Sequence, residues 1–103
     1  MDAPIKFSVI IVNYNSGDYL AEALRSLQAQ TFKDFEVLLI DNASEDASLS
    51  DLDQDLLRNV TVLHQDENLG FAKANNIGAS AAKGEWLALL NPDAQAAPDW
   101  LET

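Results

Sequence analysis

The chain has 103 residues, 17 Asp plus Glu against 6 Lys plus Arg, a net charge of −11 and no cysteine. Its 48% apolar content fills one core and not two, so a single domain over 1–103 is expected. This composition argues against nucleic-acid and anionic-membrane surfaces, which need concentrated positive charge, and excludes disulfides, thiolate nucleophiles and cysteine-ligated zinc. No apolar run approaches the roughly 20 residues of a membrane span, and the first four residues lack the basic and apolar blocks of a signal peptide. The expected location on these grounds is the cytoplasm.

Four apolar runs, at 7–12, 35–40, 60–64 and 86–90, are nearly continuous and rich in β-branched, aromatic or leucine side chains. Such runs predict strands buried on both faces. After the first, Tyr19, Leu20, Ala23, Leu24 and Leu27 recur at helical spacing, with Ser16 as the expected N-cap and Asp18 and Glu22 suited to the positive helix end. After the second, Leu49, Leu52 and Leu56 make a weaker stripe within an acidic stretch, read as the solvated face of a short helix. After the third, Phe71, Ala74, Gly78 and Ala81 share one face whose small residues let a helix lie close to a sheet, and Gly84 suits the stop that follows. The order βαβαβαβ predicts an α/β fold, a Rossmann-like open parallel sheet with flanking helices and right-handed crossovers.

Ligands of an open parallel sheet bind beyond the carboxyl ends of the strands. The connections there are Asn13-Tyr14-Asn15-Ser16, Asp41-Asn42-Ala43-Ser44, Gln65-Asp66-Glu67-Asn68 and Asn91-Pro92-Asp93, so four polar loops converge on one rim. The other rim, with 30–34, Arg58-Asn59 and Lys83-Gly84, reads as ordinary short connections. The first loop has too few glycines for a dinucleotide turn, no P-loop is present, and a hydrolase elbow lacks its flanking glycines. A phosphorylated ligand would need a divalent cation, for which a carboxylate is the proper hard ligand, and Asp93 is placed to supply it.

Plainer readings stand beside these. Asn91-Pro92-Asp93 is favourable turn chemistry in its own right, and Asp41 to Ser44 can open a helix. Tyr14 can pack on the sheet edge, Asn68, Asn75 and Asn76 can cap and line a helix, and Lys73 can be a solvated helix residue. His64 reads as a structural bystander, and Trp86 and Trp100 as core or packing residues.

Four segments together, 9–15, 39–44, 68–78 and 84–94, resemble the start of a family-two glycosyltransferase with the GT-A fold. The resemblance spans almost the whole chain. It implies the donor-binding half of an enzyme that transfers a sugar, with inversion, from a nucleoside diphosphate-sugar to the hydroxyl of a saccharide or lipid-linked acceptor, using Mg2+ or Mn2+. Under it, Tyr14 and Asp41 hold the base, with Asn13, Asn15, Asn68, Asn76 and Asn91 as further nucleotide-binding candidates, and Asp93 holds the metal and diphosphate. The family's carboxylate motif has two acids separated by one residue, and here Asn91 takes the first place; that form is similar to bacterial rhamnosyltransferase-like enzymes of polysaccharide synthesis. No residue of the chain matches the acceptor-side catalytic base. The resemblance therefore implies the donor portion of a longer protein, peripheral to the inner face of the membrane in one version, with self-association through an uncovered sheet edge. The rival from another class is a non-catalytic interaction module that keeps the fold; a dinucleotide-dependent oxidoreductase fragment with Asp41 on the ribose is a third reading.

Overall fold

The computed structural model describes residues 5–50 and 52–102. In chain order they form β1 (Ile5–Asn13), α1 (Tyr19–Gln28), β2 (Phe35–Asp41), a 3-10 turn (Gln54–Leu57), β3 (Val60–His64), α2 (Phe71–Ala81), β4 (Gly84–Leu89) and a second 3-10 turn (Trp100–Glu102). All four strands pair in parallel in the order β3-β2-β1-β4. The fold is the expected α/β class. No helix among the described residues is long and apolar enough to cross a membrane.

The alternation of side chains along β1 and β2 divides the core in two. Val9, Ile11, Val37 and Leu39 face one side, where Leu20, Leu24 and Leu27 of α1 cover them. Ile10, Val12, Leu38 and Ile40 face the other, where Ala74 of α2 packs on them. Both faces of the two central strands are thus dry, which is why their sequences read as continuous apolar runs.

The outer strands depart from that expectation. Residues of β3 are half-buried or exposed, and Trp86, Leu87 and Leu89 of β4 are 59%, 51% and 54% exposed. The cause is coverage, because α2 lies over β1 and β2, and β4 forms an edge. Trp86 is therefore not a core residue, whereas Trp100 does pack against the α1-side cluster.

Small residues set how close α2 approaches. A Cβ added at Gly78 would lie 2.9 Å from Ile10 Cγ2 and 3.0 Å from Ile40 Cδ1. Phe71, expected on the same buried face, is instead 58% exposed at the helix start. Gly84 is not a helix stop; α2 ends at Ala81, with Ala82 extended, and Gly84 opens β4. Its amide donates to the buried Ser8 Oγ at 2.8 Å, and that hydroxyl donates to Glu36 Oε2 at 2.6 Å. A Cβ at Gly84 would meet backbone, at 2.6 Å from both Phe7 C and Ser8 N. Backbone cannot step aside as a flexible side chain can, so Gly84→Ala is expected to destabilise the fold by about 3 kcal/mol, at the top of the usual overpacking range, as read by urea unfolding.

Two helical expectations change at the second connection and at the first cap. Among the described residues between β2 and β3 only the 3-10 turn Gln54–Leu57 is helical, although Leu56 is buried and Leu49 and Leu52 pack on the α1-side core as the stripe implied, joined there by Leu57. The reason is local competition: Asp41, Ser44, Asp46 and Ser48 bind one another and nearby backbone groups, which holds the segment in turns. Ser16 does not cap α1 with its side chain. Its carbonyl accepts from Tyr19 N at 3.2 Å, and Asp18 occupies the cap position.

Candidate functional site

With β1 in the middle, the chain moves outward through β2 to β3 and then returns under α2 to add β4 on the far side of β1. The strand order therefore reverses between β1 and β4. The carboxyl ends of strands at such a switch point open into a crevice. Here the crevice is a cleft of about 1040 Å³, contributed by every connection on that rim and by the start of α1. Tyr14 and Asn15 follow β1, Asn42 follows β2, Asn68 and Phe71 precede and open α2, and Asn91, Pro92 and Asp93 follow β4.

Two properties of this lining decide its chemistry. Tyr14, Tyr19 and Phe71 are exposed aromatic side chains around the cleft, surfaces on which a flat ring can stack. Its charged members among the described residues are Asp18, Glu22 and Asp93, with no Lys, Arg or His. Among charged side chains, a bare diphosphate would meet only like charge there. Asp93 sits in a tight turn in which Ala94 N donates to Asn91 O at 3.0 Å, so the favourable turn reading of Asn-Pro-Asp and the placement of an exposed carboxylate in the cleft hold at once.

The loops behind the cleft are tied by a buried polar cluster. Asn13 is fully buried; its Nδ2 lies 2.9 Å from Asp41 Oδ1 and 3.1 Å from the hydroxyls of Ser44 and Ser48. Ser44 Oγ donates to Asp41 Oδ1 at 2.7 Å and accepts from Asn15 N at 3.0 Å. Asn15 Oδ1 in turn accepts from the amides of Glu45 and Asp46, at 2.7 and 3.2 Å. Asn13 Oδ1 is buried without a partner. Within this weave Asn15 and Ala43 adopt left-handed backbone, with φ of 49° and 63°. For the alanine that conformation costs about 1–2 kcal/mol, which the hydrogen bonds on either side offset. Asn42 extends the weave to the third loop: its Nδ2 donates to Gly70 O at 3.3 Å and its Oδ1 accepts from Leu69 N at 3.2 Å.

Asp46 fastens the turn before α1. Its Oδ2 accepts from Gly17 N at 2.9 Å, and its Oδ1 accepts from Ser48 N at 3.0 Å and Ser48 Oγ at 2.5 Å. The Ser48 hydroxyl foremost, helped by backbone amides, holds the Asp46 carboxyl below its ordinary value of 3.8. A depressed folded-state value means that the stabilisation is present above about 3.8 and is lost as pH falls through the lowered value. Asp46→Asn is accordingly expected to flatten the acid limb of a stability profile between pH 5 and pH 2, measured by thermal unfolding across that range.

Of the residues singled out in the sequence, Tyr14, Asn15, Asn68, Asn91 and Asp93 line the cleft together. Asn13 and Asp41 lie beneath it, bonded to each other, and Asp41 also borders a separate hollow of about 430 Å³ beside His64. Asn76 is exposed on α2 and is not part of the cleft wall. Five residues beyond Phe71, it lies about 140° around the helix from that ring. Asn68 Oδ1 accepts from Gly70 N at 2.9 Å, fixing the turn into α2. Sequence reading missed Asn42, Tyr19 and Phe71 as wall residues; for Asn42 the available sign was an amide directly after the aspartate that ends β2.

The donor set fits a hard divalent cation of a particular kind. Among the described residues no group of three or more His, Cys, Asp or Glu is placed to hold a metal. Asp93 can contribute one carboxylate, so a cation there must bring most of its other oxygens with it, as one bound to a diphosphate does.

The sheet order, the two helices and the switch-point cleft define an open, all-parallel α/β domain of the kind found in GT-A glycosyltransferases. The sequence profile of "Glycosyl transferase family 2" matches residues 8–103. The glycosyltransferase GlyG of Streptococcus pneumoniae is 36% identical over 98 residues, covering 93% of this chain and 33% of GlyG. Among solved structures, Staphylococcus aureus TarS 1-349 in complex with UDP-GlcNAc superposes with a TM-score of 0.85 at 33% identity, covering 94% of this chain and 29% of that one. The mannosyltransferase PcManGT of Pyrobaculum calidifontis, in complex with GDP-Man and Mn2+, gives 0.85 at 27% identity, covering 96% and 32%. The chain belongs to glycosyl transferase family 2, and it spans about a third of the length of the relatives it matches.

Proposed function

We propose that this chain holds the nucleoside diphosphate-sugar donor of a glycosyltransferase, and that the longer protein passes the sugar to a hydroxyl of a saccharide or lipid-linked acceptor in glycan synthesis. The observation that carries this reading is Asp93, the carboxylate of the tight turn at the switch-point cleft, whose wall holds aromatic and amide side chains, Asp18 and Glu22, and no basic residue among the described residues. A diphosphate enters such a cleft as its Mg2+ or Mn2+ complex, with Asp93 as the protein ligand. A cation held by Asp93 would supply positive charge against the negative charge that grows on the departing diphosphate.

The chain's own residues then act by binding and orientation. Tyr14 stacks on the base, and Asp41, whose Oδ1 is occupied by Asn13 and Ser44 and whose Oδ2 already accepts from Ser44 N at 3.3 Å, offers the second lone pair of Oδ2 to a base N–H. Asn15 and Asn68 set the loop geometry around the ligand through their backbone-capping bonds, and Asn91 offers an amide to the ribose. Transfer is a direct displacement with inversion: the acceptor oxygen bonds to the anomeric carbon, the bond to the diphosphate oxygen breaks, and the hydroxyl proton passes to an acceptor-side base. No residue of this chain is assigned to that base.

Two properties follow from surface and charge. The uncovered β4 edge, with Trp86, Leu87 and Leu89, is proposed to pair with a second copy when nothing else covers it. Sedimentation at rising concentration is expected to show dimers, and a clean monomer at high concentration would remove that element. The proposed setting is the cytoplasm, peripheral to the membrane only through another part of the protein, since a net charge of −11 is repelled by anionic lipid.

Calorimetric titration with uridine and guanosine diphosphates tests the reading. Binding is expected with Mn2+ present and expected to be lost with chelator. A fold-retaining interaction module, which Asn91 in place of an acid would suit, shows no nucleotide binding under either condition.

A further inference from the structure

The segment that leaves the Asp93 turn is tied along one side of α1. Residues 94–99, all described, form no helix or strand of their own. Glu22, Ser26 and Gln30 follow one another at four-residue spacing, so they fall on one line along α1 and its continuation. Gln95 Nε2 donates to Glu22 Oε2 at 3.3 Å, and Ala96 N donates to Ser26 Oγ at 2.9 Å. Gln30 Nε2 donates to Ala97 O at 2.6 Å while its Oε1 accepts from Leu101 N at 3.1 Å. Thr31 N completes the row, donating to Pro98 O at 2.8 Å.

We infer that Ser26 and Gln30 are positioning residues, which dock the strap 94–101 on α1 and so fix the turn that presents Asp93 to the cleft. Gln30 is 1% exposed, and a glutamine is an expensive way to fill space there. Its amide has another use: both ends are spent on strap backbone, at positions four residues apart. Ser26 does the same one turn nearer the cleft, with its own proton directed to Ala23 O at 2.6 Å, which leaves its oxygen free to accept from Ala96. The leucines of α1 that hold the helix to the sheet are a different set, namely Leu20, Leu24 and Leu27. The strap can therefore be loosened without unseating the helix. Because Asp93 is the one carboxylate proposed to meet the metal, a loosened strap acts on metal-linked affinity more than on contacts to the base.

This inference rests on the donor-site reading above, and the experiment separates the two. Ser26→Ala and Ser26→Thr are compared with the unaltered chain by amide hydrogen exchange, without ligand, and by titration with uridine diphosphate in Mn2+ and in chelator. In Ser26→Ala, exchange is expected to quicken at Ala96 and its neighbours while β1 and β2 stay protected, and Mn2+-dependent affinity is expected to fall about ten-fold, the scale of a lost supporting contact to a metal ligand. Ser26→Thr, which keeps the hydroxyl, restores both. Gln30→Met supplies a second variant with the same two readouts. A strap that loosens with unchanged Mn2+-dependent affinity overturns the inference, as does unchanged exchange in both Ser26→Ala and Gln30→Met. If the unaltered chain binds no uridine diphosphate, the donor-site reading fails, and the exchange data still decide whether the strap is docked as described.

Discussion

Replacing Asp93 by alanine is expected to weaken Mn2+-dependent nucleoside diphosphate binding by about 100-fold, the equivalent of roughly 2.7 kcal/mol, while leaving the unfolding midpoint within a degree or two. The two halves of that expectation have separate causes. Asp93 is exposed in its turn, and the turn is closed by the backbone bond from Ala94 N to Asn91 O, so folding does not depend on the carboxylate. The cleft's other acids, Asp18 at the cap of α1 and Glu22 in its first turn, are not on the Asp93 turn, and Glu22 already accepts from Gln95. Asp93→Asn separates charge from shape: it keeps an oxygen in place but removes the charge that a divalent cation selects. It is expected to fall near the alanine variant. Calorimetric titration of the three proteins, with circular dichroism melts alongside, gives both quantities.

Asp41 is expected to behave in the opposite way, with stability suffering first. Its carboxylate accepts from Asn13 Nδ2 and Ser44 Oγ, and all three groups lie in or beside the core. Asp41→Ala takes from the buried Asn13 Nδ2 the nearest of its three acceptors, leaving the Ser44 and Ser48 hydroxyls at 3.1 Å, and frees the Ser44 hydroxyl that anchors the loop after β1. A hydrogen bond to a charged group contributes about 1.5–3 kcal/mol, so a total near 3 kcal/mol is expected for the loss of both. For a chain of this size that is a fall of about 10–20 °C in the melting midpoint. Asp41→Asn keeps an acceptor at the same place and is expected to lose less than half as much. If Asp41→Ala melts with the unaltered chain, the cluster is not what joins the first two loops.

These two carboxylates also show how far sequence reading reached. The positions of Asp41 and Asp93 at strand ends, and hence on one rim, follow from apolar runs separated by helical stripes, because parallel connectivity leaves little freedom in where the loops go. The division of labour between them does not follow. Whether a polar residue at a strand end points into a cleft or down into the core is a matter of side-chain parity and of its neighbours. Here Asn13, the last residue of β1, turns inward to Asp41, while Tyr14 lies exposed at the cleft. The same limit explains the outer strands. Trp86 and Leu89 carry as much apolar character as Ile10, yet burial is set by what lies above a strand, and α2 stops at β1 and β2. The stretch after Asp41 misled for a different reason: its leucine spacing is helical, but short polar side chains outcompete the helix for the backbone. Gln30 looked like part of an ordinary connection because its partners, Ala97 and Leu101, are some seventy positions away.

Nucleotide and metal are proposed to meet at the β1/β4 switch point, with the metal at Asp93. Paramagnetic broadening by Mn2+ in the ¹⁵N-labelled chain, recorded with uridine diphosphate present, measures that placement directly. Amides of Asn91, Asp93 and Ala94 and of Tyr14 to Asp18 are expected to broaden first, and Asp93→Ala is expected to abolish the effect there. Broadening centred instead on the acidic stretch 45–55, or unchanged at the cleft in Asp93→Ala, would contradict that placement.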